Sequence, residues 1–286
     1  MEAEVVMSEK PITIIKPKNN LLELQLGEVW KYRDLMWMFV KRNFITFYKQ
    51  TIFGPLWFLL HPIFSSAAYF LIFGKLAKIP TDEIPQMLFY MAGVINWSYF
   101  TECFNKTSGI FSSNQGLFGK IYFPRLVVPI SDSITSMIRY LIQFAMFLVF
   151  YLVFFINGFP IKISWLAIFT PFIIIYLTLV ALGFGMWISS LTTKYWDLRI
   201  ALGFGVQLWM YATPIVYPLS LVPEKYRIFM MLNPVTPAME FFKLAWLGAG
   251  TVDLFFTSLS ILVTIIVVFT GLIIFNKIEK TFMDII

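Results

Sequence analysis

Long uncharged apolar runs, separated by short polar ones, dominate the chain from residue 55 onwards. Six such stretches occupy residues 55–74, 84–101, 140–161, 163–193, 200–223 and 254–276. A helix needs roughly 20 residues to cross the hydrocarbon core of a bilayer, with a usual range of about 17 to 25. All six therefore predict membrane-spanning helices, the second short and the fourth long. The third and fourth are parted by Asn157-Gly158-Phe159-Pro160 and Lys162, which reads as a tight turn. An even number of spans returns both termini to one side.

Two further apolar segments lack the pattern of a span. Residues 30–52 carry Lys31, Asp34, Lys41, Arg42 and Lys49, while Leu35, Met38, Phe39, Ile45 and Tyr48 fall on other faces. That pattern predicts an amphipathic helix lying in the membrane interface. Residues 221–250 contain Pro223, Pro234, Pro237 and Gly248, and their apolar runs are too short to cross. Broken apolar helices persist at membrane depth only when buried in protein or lining a cavity. The segment therefore predicts a re-entrant outer helical hairpin between helices 5 and 6. Residues 1–28 are polar and lack the apolar core of a signal peptide, so none is expected. The whole reads as one all-α polytopic membrane domain over residues 1–286: a cytoplasmic N-terminal segment 1–29, the interface helix 30–52, a six-helix region 55–276 and a tail 277–286.

Composition agrees. Apolar residues make up 59% of the 286 and charged ones 13%, against about 25% charged in an average soluble domain. Such a chain cannot coat a soluble globule of this size. The net charge of +6 resolves by position. Fifteen basic residues fall on the side of the N-terminus, six on the other, and Arg139 lies within the third span. The positive-inside rule then puts both termini in the cytoplasm. Topology accounts for the charge, and no nucleic-acid partner is implied.

Little catalytic equipment is present. One cysteine, Cys103, and one histidine, His61, exclude a disulfide within the chain and a Cys- or His-cluster metal site. Gly74-Lys75 and Gly119-Lys120 lack the glycine spacing and the Ser/Thr of a phosphate-binding loop, so no ATP hydrolysis is expected of this chain. His61, next to Pro62, reads as a packing residue. Arg139 is the most informative charge. Asp132, Ser136, Arg139 and Gln143 are spaced 4, 3 and 4 and share one helical face. That stripe either lines a polar passage or ties helices together, with Arg139 paired to Glu102 or Asp132. The aromatic share of 19% includes Trp57, Trp97, Tyr99, Trp209 and Tyr211. These rings belong either to interfacial belts or to flat surfaces against which sugars slide.

Four ordered blocks carry a resemblance. The first is Tyr32-Arg33-Asp34-Leu35 with Val40-Lys41-Arg42-Asn43, Tyr48-Lys49-Gln50-Thr51-Ile52-Phe53-Gly54-Pro55-Leu56-Trp57 and His61-Pro62. The second is Ile121-Tyr122-Phe123-Pro124-Arg125-Leu126-Val127-Val128-Pro129. Thr213-Pro214-Ile215-Val216-Tyr217-Pro218 forms the third, with Val222-Pro223-Glu224, and Leu232-Asn233-Pro234-Val235-Thr236-Pro237 with Leu247-Gly248 the fourth. Together they resemble ABC-2-type polysaccharide export permeases, with Thr51 where the family has Ser, Phe53 for Leu, and His61 where Gln is frequent. The resemblance implies a half-transporter: a second copy of the chain completes the channel, and two separate ABC ATPase subunits carry ATP and Mg. It implies ATPase coupling at Phe53, Gly54, Asn105, Lys106, Gly119 and Lys120. The transport path would take Trp57, Trp97, Tyr99, Arg139, Gln143, Trp209 and Tyr211, and the outer gate Tyr217, Pro218, Asn233 and Pro234. The implied substrate is a lipid-linked polysaccharide, O-antigen ahead of teichoic acid or capsule, crossing the bacterial inner membrane. The rivals are a drug or small-lipid exporter, a membrane-embedded glycan-modifying transferase, and a non-transporting scaffold.

Overall fold

The computed structural model of the protein describes residues 26–49, 52–120, 123–195 and 197–285, with helices and no strand among them. The polar segment up to residue 25, and Gln50, Thr51, Ile121 and Tyr122 of the sequence blocks, lie outside the described residues. In chain order the helices are α1 (Leu26–Lys31), α2 (Arg33–Lys49), α3 (Trp57–Tyr69), α4 (Gln86–Ser108), α5 (Ile110–Ser113), α6 (Gln115–Phe118), α7 (Val127–Ile156), α8 (Thr170–Lys194), α9 (Leu198–Tyr211), α10 (Glu224–Met231), α11 (Thr236–Leu247) and α12 (Leu254–Ile285).

Among the described residues, four helical rods are long and apolar enough to cross a membrane: Gly54–Leu76, Val127–Ile156, Trp165–Thr193 and Leu254–Ile278. The first starts at an elbow. Gly54 sits at φ +52°, a left-handed conformation that glycine adopts without a Cβ penalty. Pro55 then opens the helical turn Gly54–Leu56 with its φ already set. Beyond α3 the rod continues as a π-helical stretch, Phe70–Leu76.

α4 has the length of a span, 23 residues or about 34 Å, but it is less apolar than the four rods. Its position explains this. It packs against α3, α7, α8 and α11, and Leu88, Phe89, Tyr90 and Met91 are almost wholly buried in succession. A helix surrounded by protein can carry polar groups if they find partners. Asn96 does so, donating to Ala92 O at 2.8 Å and accepting from Tyr140 OH at 3.1 Å.

Two helices differ from the lengths expected. α7 begins at Val127, well before residue 140, and so takes Asp132, Ser136 and Arg139 into one continuous rod. Its first turns are rich in hydroxyls that depress hydropathy. Ser133 and Thr135 return theirs to the carbonyls of Pro129 and Ser131, each at 2.8 Å, so burial costs them little. α9 is a 14-residue helix ending at Tyr211, where an unbroken run to residue 223 was expected. At about 21 Å it falls short of the roughly 30 Å hydrocarbon thickness. Residues 212–218 leave the helix as an irregular, largely buried segment.

The segment 221–250 is helix, break, helix. α10 follows Pro223 and ends before Asn233-Pro234; α11 is stopped by Gly248 at φ +73°, the left-handed C-cap that favours glycine. α8 and α12 approach closely because Gly183 and Gly271 face each other, and Gly185 lies against Thr107 of α4. At one end of the bundle Phe39, Ile110, Phe111, Phe118, Phe123, Val127 and Phe275 form a second apolar core. It joins α2, α5, α6 and the ends of α7 and α12.

Candidate functional site

Arg139 and Gln143 of the α7 stripe face a cleft of about 350 Å³ between α3, α4 and α7. Trp57, Phe58 and His61 line it from α3, Ser98, Thr101, Glu102 and Asn105 from α4, and Arg139 and Gln143 from α7. Arg139 Nη1 donates to Glu102 Oε1. The same oxygen accepts from Lys106 Nζ at 2.8 Å. Lys106 Nζ also donates to Ser136 Oγ at 3.1 Å, and Asn43 Nδ2 donates to Asp132 Oδ1 at 2.7 Å. The Arg139 guanidinium stands 5.2 Å from the centre of the Phe58 ring. Every polar member of the stripe is thereby assigned: Asp132 to α2, Ser136 and Arg139 to α4, and Gln143 to the cleft wall. The two readings of the stripe are compatible, since Arg139 ties α7 to Glu102 and still borders the cleft.

The sequence-predicted path residues fall into two groups. Trp57, Arg139 and Gln143 meet in the cleft. Trp97 and Tyr99 are buried in an aromatic layer instead, with half-buried Trp209 packed against it. Trp209 is ringed by Trp97, Phe100, Phe104 and Phe184 at centroid distances of 5.0 to 6.5 Å. Tyr99 packs on Tyr140 at 5.2 Å and shares a 2.6 Å hydrogen bond with Thr178 Oγ1. Tyr211 is exposed, and its carbonyl accepts from Tyr217 OH at 2.6 Å.

The predicted coupling residues also separate. Phe53 and Gly54 form the elbow before α3, with the Phe53 ring edge-on to Trp57 at 5.5 Å. Asn105 is exposed at the cleft. Lys106 is engaged with Glu102 and Ser136, whereas Gly119 and Lys120 are exposed beyond α6. α5 and α6 are moored by Ile110, Phe111 and Phe118, the Phe111 ring 4.9 Å from that of Phe275. Their polar edge, Ser113, Gln115, Gly119 and Lys120, points outwards.

Asn233 is a hub of four hydrogen bonds. Its Oδ1 accepts from Trp209 Nε1 at 2.9 Å and from Val235 N at 3.1 Å, and its Nδ2 donates to Thr213 Oγ1 at 2.8 Å and Ala212 O at 3.2 Å. Pro234 O accepts from Tyr176 OH at 2.8 Å. Pro218 is buried and Tyr217 half-buried in the same segment. An apolar pocket of about 540 Å³, lined by Trp209, Ala212, Tyr226, Phe229, Met230, Asn233 and Pro234, lies alongside. Sequence reasoning missed the buried pair next to this hub. Lys243, 2% exposed, donates to Pro214 O at 2.5 Å and Glu240 Oε1 at 3.1 Å, and sits 4.2 Å from the centre of the Phe89 ring. Glu240 Oε2 in turn accepts from Thr251 N at 2.9 Å. Burial pulls the Lys243 ammonium below the ordinary lysine pKa, and Glu240 opposes that. The available signal was Glu and Lys spaced i, i+3 on an otherwise apolar helix.

Among the described residues no group of three or more His, Cys, Asp or Glu converges as a metal site. The chemistry on offer is binding by charge, hydrogen bonds and aromatic faces. In comparison with known proteins, residues 34–247 match the family described as ABC-2 type transporter. The chain is 26% identical over 254 residues to a Klebsiella pneumoniae protein named O-antigen export system permease protein RfbA, covering 88% of this chain and 95% of that one. A Myxococcus xanthus protein of the same name is 24% identical over 215 residues, covering 74% of this chain and 80% of its own.

Proposed function

Because the chain belongs to the ABC-2 type transporter family, we propose that it is the membrane-spanning permease subunit of an ATP-driven exporter of lipid-linked polysaccharide, O-antigen being the favoured cargo. The observation that carries this reading is the likeness, across 88% of the chain, to a permease named for O-antigen export. In this reading α4, and α9 continued by the buried irregular segment 212–218, join the four apolar rods to make six spans. α1 and α2 lie in the cytoplasmic interface of the bacterial inner membrane, and both termini are cytoplasmic. α10 and α11 form the re-entrant outer hairpin, with Asn233-Pro234 as its break and Tyr217-Pro218 as its neighbour at the gate.

A second copy of the chain completes the channel, and two ABC ATPase subunits supply ATP and Mg. ATPase closure pushes on the α5–α6 edge at Gly119 and Lys120 and on the elbow at Phe53 and Gly54. Asn105 and Lys106, one turn away on α4, carry that push to the cleft. The glycan runs past Trp57, Arg139 and Gln143, with Trp97, Tyr99 and Trp209 adjoining through α4 and Tyr211 towards the gate. Weak contacts suit such a path, because conduction needs sites that also release.

Co-purification with a partner ABC ATPase subunit tests the assignment of the docking edge. Lys120→Glu is expected to weaken the complex by about two- to fivefold, the scale of exposed charge pairs, and to lower stimulated ATP hydrolysis in step. Lys106→Glu puts two carboxylates together within the cleft cluster, so it is expected to reduce folded yield instead. Unchanged ATPase binding by Lys120→Glu would remove the α5–α6 edge from the docking surface.

A further inference from the structure

We propose that the α3–α4–α7 cleft is the binding site for the anionic phosphate or diphosphate headgroup that joins the glycan to its lipid, with Arg139 as the group that holds it. The proposal rests on the exporter reading above and gives that cleft a ligand. Three observations support it.

The first is depth. Trp57, the first residue of α3, lines the cleft, and the apolar rod that contains it starts only at Gly54. The cleft therefore opens beside the first turns of that rod, next to α2, which the exporter reading places in the membrane interface. The second is charge. At the cleft Lys106 and Arg139 both pair with Glu102, two cations to one carboxylate. The cleft wall contains one acidic side chain, Glu102, and donors from Trp57, His61, Ser98, Asn105, Arg139 and Gln143. Such a wall suits phosphoryl oxygens, which accept hydrogen bonds and donate none at full ionisation.

The third is the sharing of one carboxylate oxygen. Lys106 and Arg139 both bond Glu102 Oε1. A guanidinium held in a private pair would leave a buried carboxylate unpaired on release, and that is costly. Here Lys106 keeps Glu102 paired when Arg139 turns to a ligand. The groups are also reachable, at 13% exposure for the Arg139 side chain and 27% for Glu102 and Lys106, whereas a purely structural tie such as Glu240–Lys243 is closed to 2–3%.

The test uses the full chain in nanodiscs of phosphatidylcholine, titrated with farnesyl diphosphate, farnesol and inorganic pyrophosphate. Farnesyl diphosphate is expected to bind, and Arg139→Gln to weaken it by roughly 10- to 100-fold, the worth of a hydrogen-bonded charge. Arg139→Lys is expected to lose less, and Glu102→Gln to bind equally or more tightly. Equal binding by Arg139→Gln would overturn the site, as would farnesol binding as tightly as its diphosphate. Pyrophosphate binding as tightly as farnesyl diphosphate would overturn the headgroup assignment in favour of a free anion. Should Arg139→Gln fail to assemble, Glu102→Gln still decides, since weaker binding there contradicts the proposal. Diphosphate binding without glycan transport by the assembled exporter would overturn the exporter reading alone. Transport together with a diphosphate affinity indifferent to Arg139 would overturn the site alone.

Discussion

Lys243→Ala is expected to cost about 3–5 kcal/mol of stability, because it leaves the Glu240 carboxylate buried without its cation. The same change frees the Pro214 carbonyl, which Lys243 holds at 2.5 Å, and strips the cation from the face of Phe89. The loop 212–218 and the hairpin helix α11 would lose the contact that joins them. Thermal unfolding in detergent, followed by the loss of monodisperse protein, reads the effect directly. A double change, Lys243→Met with Glu240→Leu, removes both charges at similar volume and is expected to recover much of the loss. If Lys243→Ala unfolds within about 1 kcal/mol of the unaltered chain, the pair carries no such weight.

Gly271→Val is also expected to destabilise, for a steric reason. A Cβ at residue 271 would stand 2.8 Å from Gly183 O and 3.3 Å from Trp187 Cδ1. The first of these is backbone, which cannot rotate away, so α12 must separate from α8. Overpacking of this kind costs about 1–3 kcal/mol and sometimes more. Gly116→Val is the matched control. Nothing lies within 4 Å of a Cβ there, and the change is expected to stay within about 0.5 kcal/mol. Folded yield from membranes, compared between the two variants, separates close helix packing from a general intolerance of glycine replacement. Equal yields would deny the close α8–α12 approach.

Most of the architecture was legible wherever a helix faces lipid on several sides. Residues 55–74, 163–193 and 254–276 read as rods because lipid-facing helices must be apolar in many directions, and the rods Gly54–Leu76, Trp165–Thr193 and Leu254–Ile278 stand there. Legibility fails where protein replaces lipid. The first turns of α7 carry buried Ser131, Ser133 and Thr135, whose hydroxyls are satisfied along their own helix, so hydropathy underestimates how early the helix begins. The end of α9 fails in the opposite sense. Residues 212–218 stay apolar while leaving the helix, and the partners that make this possible, Asn233 and Lys243, come from later in the chain.

The cleft shows the same division. The spacing of Asp132, Ser136, Arg139 and Gln143 placed them on one face, and Glu102 was one of two partners named for Arg139. The 4-residue step from Glu102 to Lys106 was equally visible, but its sharing of one oxygen with Arg139 depends on how α4 and α7 pack. Trp97 and Tyr99 show the limit for aromatics. Ring content marks a residue as a candidate lining, but only packing tells a ring facing a cleft from one facing Trp209 or Thr178.

Vectorial transport is the most direct test of the exporter assignment. The chain and a partner ABC ATPase would be reconstituted in inverted vesicles, with lipid-linked O-antigen on the outer, ATPase-bearing face. The account predicts that ATP moves the glycan into the lumen, where an external glycosidase no longer reaches it. Omission of either protein, or substitution by a non-hydrolysable ATP analogue, should abolish that protection. Glycan that remains fully accessible while ATP is hydrolysed, or that is chemically altered by this chain alone, would contradict it.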